Sequence, residues 1–191
     1  MLRITSAIAA LVLAALVMTG CGGRSDAETP PSATSDLPAI APADGETVAG
    51  EAYGFTLPQG WGFPDGAPDT FDETTFAAFL DDQDDFADNL NIITSPAGEV
   101  SPEQVESVGV DELEGAGATD VTVLDRVTAA GQETAHLTAG FEQDGVEYQI
   151  DQYYLTDAGQ TYIVTFSFSP DVSQEDRDQI AQSVLATWQW R

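Results

Sequence analysis

The sequence predicts an α+β domain in which helices flank an antiparallel β-sheet, and three observations carry that prediction. Four strand-like stretches lie between residues 120 and 168, separated by Ala130-Gly131, Gln143-Asp144-Gly145 and Asp157-Ala158-Gly159. Such pairs tolerate the positive φ that tight hairpins require, so the stretches form a meander. Serines at 101 and 173 each open an amphipathic run with a helix N-cap signature. Strands and helices are segregated along the chain instead of alternating, which separates α+β from a parallel α/β fold.

Taken in order, Ala52 to Leu57 reads as a first strand, closed by a turn at Pro58, Gly60 and Gly62. Residues 74–80 carry Phe76 and Phe79 at a spacing that suits either a helix or a strand. We read them as a strand, followed by a second over 89–94. A helix begins at the N-cap Ser101, with Pro102 in its first turn and Gln104 completing a capping box. Its apolar face is Val105, Val108 and Leu113, and Gly115 and Gly117 end it. The meander strands span 120–128, 133–142, 146–155 and 161–168. In the last of them Tyr162, Val164, Phe166 and Phe168 share one face and are assigned to the core. Ser173 and Asp176 form a second capping box, opening a final helix with the stripe Ile180, Val184, Leu185 and Trp188.

Ahead of this domain the composition changes sharply. All 17 aromatic residues lie between Tyr53 and Trp190. Residues 22–50 hold four prolines and four glycines among small polar residues, a composition unable to build a core. The expected organisation is therefore a signal segment over 1–20, a lipidated Cys21 with a disordered linker to residue 50, and a domain over 51–191. The apolar run Ala7 to Val17 is too short to span a bilayer, which takes about 20 residues, and it follows the cation Arg3 as in an export signal. Val17-Met18-Thr19-Gly20-Cys21 resembles the lipobox of bacterial prolipoproteins, although Met18 replaces the usual leucine. That resemblance implies that Cys21, the single cysteine, is acylated and becomes the mature N-terminus. The chain would then be held on the outer face of the cell membrane through its lipid, each buried methylene contributing about 0.8 kcal/mol.

The domain itself opens with Tyr53-Gly-Phe-Thr-Leu-Pro-Gln-Gly-Trp61 and continues with Asp88-Asn-Leu-Asn-Ile-Ile93. This pattern is similar to PsbP-like and LpqN-like envelope lipoproteins of actinobacterial type, over about residues 52–188. The resemblance implies an α-β-α sandwich and a non-catalytic binding or accessory role, with no catalytic residue carried over. An unidentified envelope protein or small ligand is the implied partner.

Charge and residue usage exclude several other classes. Five arginines, no lysine and 33 acidic residues leave a formal charge of -28. A surface so negative repels phosphate backbones, so nucleic acid is not an expected partner. Without lysine no Walker motif can be built, and with one histidine, His136, and one cysteine neither a multi-histidine zinc site nor a Cys-His pair is available in one mature chain. On its strand His136 alternates with Ala135, Leu137, Ala139 and Phe141, which assigns it with Thr138 to the opposite, solvent-facing side. Arg126 is read as relieving local repulsion. No cofactor is expected, with one exception to weigh. Asp81, Asp82, Asp84, Asp85 and Asp88 supply hard oxygen ligands suited to calcium, though their spacing does not match an EF-hand. Trp61, Phe63 and Trp190 are the candidates for an apolar or carbohydrate groove. An extracytoplasmic hydrolase using carboxylates and a calcium-binding envelope module are the two rival functions.

Overall fold

The computed structural model describes residues 40–191 apart from residue 85. The lipobox, Cys21 and the first part of the linker lie outside the described residues. Twelve elements follow in the order β1 (Thr47–Ala49), β2 (Tyr53–Thr56), β3 (Trp61–Gly62), β4 (Phe76–Phe79), β5 (Asn89–Thr94), α1 (Pro102–Gly115), β6 (Thr119–Ala129), β7 (Gln132–Gln143), β8 (Val146–Asp157), β9 (Gln160–Phe168), α2 (Gln174–Leu185) and β10 (Gln189–Trp190). They build an α+β fold with two antiparallel sheets, one of seven strands in the order β3-β4-β5-β9-β8-β7-β6 and one of three in the order β1-β2-β10.

The predicted meander is present, and its turns explain its register. Ala130-Gly131, Asp144-Gly145 and Ala158-Gly159 all have positive φ at both residues, between 49° and 82°, as two-residue type I′ hairpins require. The two alanines accept an unfavourable left-handed conformation to keep these turns tight.

The segment read as linker is partly folded. Strand β1 pairs with β2, Val48 is 8% exposed, and the Ala43 amide donates to Ser183 O of α2 at 2.9 Å. Packing therefore begins ahead of residue 51, because one valine opposite Phe55 supplies apolar burial that composition averaged over the linker hides. The first strand, in turn, joins the small sheet with the chain's last residues instead of the meander.

Helix α1 has the full capping box at Ser101 and Gln104, but its buried stripe is Val105, Gly109 and Leu113; Val108 is only half-buried. Gly109 is the reason. A Cβ there would stand 2.8 Å from Leu137 Cδ2, so the missing side chain lets the helix sit closer to β7 and turns the i, i+4, i+8 row inward. At α2 the Asp176 amide donates to Ser173 Oγ, and the Ser173 hydroxyl donates to Asp176 Oδ2 at 2.6 Å, so the second half of the expected box is made between side chains. Trp188 lies beyond the end of α2 and belongs to the small sheet's aromatic packing, not to the helix stripe.

The large sheet is covered on both faces. Ala135, Leu137, Ala139 and Phe141 of β7 pack with Val105 and Leu113 of α1. Val164, Phe166 and Phe168 of β9 face the other way, packing with Ala181, Val184 and Leu185 of α2 and with Val48, Phe55 and Trp188 of the small sheet. Strand β8, between them, serves both layers, with Tyr148 and Ile150 on the α1 side and Tyr153 and Leu155 on the α2 side. On the α2 side, the polar His136 of β7 and Asp151 of β8 are buried as well.

Candidate functional site

His136 is 2% exposed, which corrects its assignment to solvent. Alternation placed it on the correct face, but that face is roofed by α2. The Asp144-Gly145 turn sets Tyr153 opposite His136 and Asp151 opposite Thr138, so histidine, tyrosine, threonine and aspartate converge on one patch of the sheet. The first two turns of α2 add Gln174, Arg177 and Asp178, three and four residues apart and therefore on one helix face.

Asp151 is the hub. Its Oδ1 lies 3.0 Å from His136 Nε2 and accepts from Gln174 Nε2 at 3.2 Å, while its Oδ2 accepts from Arg177 Nε at 2.8 Å. Arg177 also donates to Val172 O at 3.0 Å, to Thr138 Oγ1 at 3.4 Å and to Gln174 Oε1. Gln174 Nε2 donates in addition to Asp178 Oδ1 at 2.9 Å, and that oxygen is 4.0 Å from His136 Nε2. The imidazole stacks on Tyr153 with centroids 4.3 Å apart. Burial by itself would raise the Asp151 pKa, but bonds from His136, Arg177 and Gln174 and the guanidinium charge hold it below the usual carboxylate value. Burial, helped by the charges of Asp151 and Asp178, pushes the Tyr153 phenol well upward.

This arrangement holds α2 on the sheet. A base is present, but the Thr138 hydroxyl beside it donates to Ile150 O at 3.0 Å, and Arg177 neutralises the carboxylate that would orient the imidazole. Asp151, Gln174, Arg177 and Asp178 belong to no motif that marks them in the sequence. One signal was available: Arg177 lies four residues before Ala181 on the inward face of α2, an arginine at a core position that demands a buried acceptor.

The acidic run is arranged differently. Asp82 Oδ2 accepts from the Asp88 amide at 3.0 Å, Asp84 Oδ1 from the Phe86 amide at 2.8 Å, and Asp88 Oδ1 from the Ser169 amide at 2.9 Å. Asp81 is exposed, and Asp85 lies outside the described residues. These carboxylates organise backbone turns and do not converge on a point; among the described residues the ligand atoms that do converge belong to His136, Asp151 and Asp178, all within 4.8 Å. Trp61 is buried against Phe166, Trp190 lies against Tyr162 and Trp188, and both pack into the core beneath α2, while Phe63 is 45% exposed. Arg126 meets Glu103, Glu106 and Glu133 at 2.8, 2.5 and 3.7 Å, relieving acid repulsion as expected.

Asp88 gives a pH test. Burial pushes its pKa up to about 6, aided by the charges of Asp82 and Asp84 and opposed by the Ser169 bond. The folded chain then keeps a proton that the unfolded chain, at the ordinary value of 3.8, has lost. Stability from this group is complete below the unfolded value and disappears as pH rises through 6. Thermal melts of wild type and Asp88→Asn from pH 4.5 to 7.5 should therefore diverge, the asparagine variant gaining relative to wild type as the pH passes about 6. A difference that does not change with pH would refute the assignment.

No protein-family model matches the sequence, and no curated protein does. Among solved structures the chain is similar to LpqN of Mycobacterium tuberculosis, described as involved in cell envelope biogenesis, at 12% identity and TM-score 0.48, over 72% of this chain and 82% of that one. It is also similar to the cyanobacterial PsbP of Synechocystis at 16% identity and TM-score 0.48, over 83% and 99%. A protein from Bacteroides thetaiotaomicron is similar at 15% identity and TM-score 0.43, over 73% of this chain and 45% of the other. The chain therefore spans less than half the length of that last structure.

Proposed function

We propose that the chain is an exported lipoprotein, held on the outer face of the cell membrane by acyl chains on Cys21. Its folded domain acts by binding an envelope protein or small ligand, not by catalysis. The observation that supports binding over hydrolysis is the state of the only histidine. His136 is buried beneath α2 and shares its carboxylate with Arg177, so the imidazole is not presented to an organic substrate as a general base. The anchor rests on the lipobox resemblance, and no helix among the described residues is long and apolar enough to cross a membrane.

Labelled palmitate should enter the wild-type chain and be absent from Cys21→Ala, which should appear in the medium. Partner capture on the full chain should survive molar salt, since an acidic surface retains basic proteins unspecifically only at low ionic strength. Ester or glycoside turnover that His136→Gln abolishes would overturn the non-catalytic reading.

A further inference from the structure

We propose that His136, Asp151 and Asp178 form a binding site for a single zinc-class divalent cation. The three come from β7, β8 and α2, and offer one imidazole nitrogen and two carboxylate oxygens within 4.8 Å of one another. Around a tetrahedral zinc with bonds of about 2.0–2.2 Å, neighbouring ligand atoms stand roughly 3.3 Å apart. His136 Nε2 and Asp151 Oδ1 are already 3.0 Å apart, and Asp178 Oδ1, 4.0 Å from Nε2 in a set whose ligand atoms all lie within 4.8 Å, has to swing inward to complete the coordination. Asp178 is half-exposed on the helix surface and has that freedom, and its side is the one through which an ion would enter from solvent.

One further feature points to a cation at this spot. Gln174 Nε2 lies between the carboxylates, donating to Asp151 Oδ1 at 3.2 Å and to Asp178 Oδ1 at 2.9 Å. A donor is thus placed where both oxygens seek positive charge, and the half-buried glutamine can swing outward to yield it. The Tyr153 ring, stacked on the imidazole with centroids 4.3 Å apart, fixes the plane in which His136 presents its nitrogen. Arg177 binds only Oδ2 of Asp151, leaving Oδ1 for the metal and orienting the carboxylate as an outer partner does. Its charge opposes the ion, yet two carboxylates outweigh one guanidinium. An imidazole nitrogen at the centre favours zinc over calcium or magnesium, which take six or more oxygen ligands.

The single histidine makes the test direct, because the imidazole region of a 1H–15N spectrum of the full chain in detergent holds one residue. Zinc added to one equivalent should shift the Nε2 resonance of His136 to saturation and raise the melting temperature, while calcium leaves the imidazole unmoved. Asp178→Asn keeps an acceptor for Gln174 and is therefore expected to fold, which its metal-free melt will show; it should weaken zinc binding about tenfold or more. Zinc that binds without moving the His136 signals is held by surface carboxylates and overturns the proposal. An unchanged affinity in Asp178→Asn overturns it as well. Both results are independent of whether the domain binds a partner or hydrolyses a substrate.

Discussion

Asp151→Ala is expected to destabilise the protein by about 3–5 kcal/mol, because it leaves Arg177 buried without its counter-charge. Asp151 is fully buried and Arg177 7% exposed, so water cannot replace what the mutation removes. The same change frees His136 Nε2 and one bond of Gln174, adding unsatisfied donors under α2. Replacing both charges by apolar residues, as in Asp151→Leu with Arg177→Met, should cost much less than the sum of the single changes, since neither charge is then stranded. Denaturant unfolding of the two single variants and the double variant measures this directly. A loss below about 1 kcal/mol for Asp151→Ala would mean that α2 is held by its apolar residues alone. The pH dependence has the opposite sign to that of Asp88. The folded pKa of Asp151 lies below the ordinary 3.8, so its contribution is complete above that value and is lost only as pH falls through the folded pKa. Mild acid therefore relieves Asp88 and leaves the Asp151 network intact.

Trp188→Ala should cost a comparable amount, about 3–5 kcal/mol, the range for a large aromatic removed from a core. The indole is 4% exposed and stacks on Tyr53 and Phe55 at 4.7 and 5.2 Å, with Trp190 edge-on at 5.7 Å. It follows α2 and precedes β10, so it ties the C-terminal strand and the small sheet to the main core. Loosening should appear there first: amide exchange at Tyr53 and Phe55 should quicken more than at Tyr153 or Val164. Trp188→Phe is the informative companion, because the indole N–H has no partner among the described residues. It should retain most of the stability, as expected if ring packing is what Trp188 supplies. Equal losses for phenylalanine and alanine would contradict that account.

Much of the architecture was legible because it depends on neighbours in sequence. Asp144-Gly145 and its two counterparts determine where the chain reverses, and Ser101 with Gln104 determines where α1 begins; both are settled within four residues. Candidate site residues were a different matter. Asp82, Asp84 and Asp88 drew attention by their density, yet the structure uses them as acceptors for backbone amides. Arg177 and Asp151, 26 residues apart, form no motif in the sequence and come together only through folding.

His136 separates the two kinds of information. The sequence by itself determined that it lies on the face opposite Leu137, because side chains alternate along a strand. It also determined the α+β class, the hairpin register and the capped helices, all products of short-range backbone and side-chain geometry. Only the tertiary structure decided that this second face is covered, by α2 and a small sheet joining residues near 50 to residues near 190. Alternation assigns a side of the sheet, but burial depends on which distant segment returns to cover it. That return is set by apolar area shared between Val164, Val184 and Trp188 and by one ion pair spanning residues 151 and 177, terms that no local window contains.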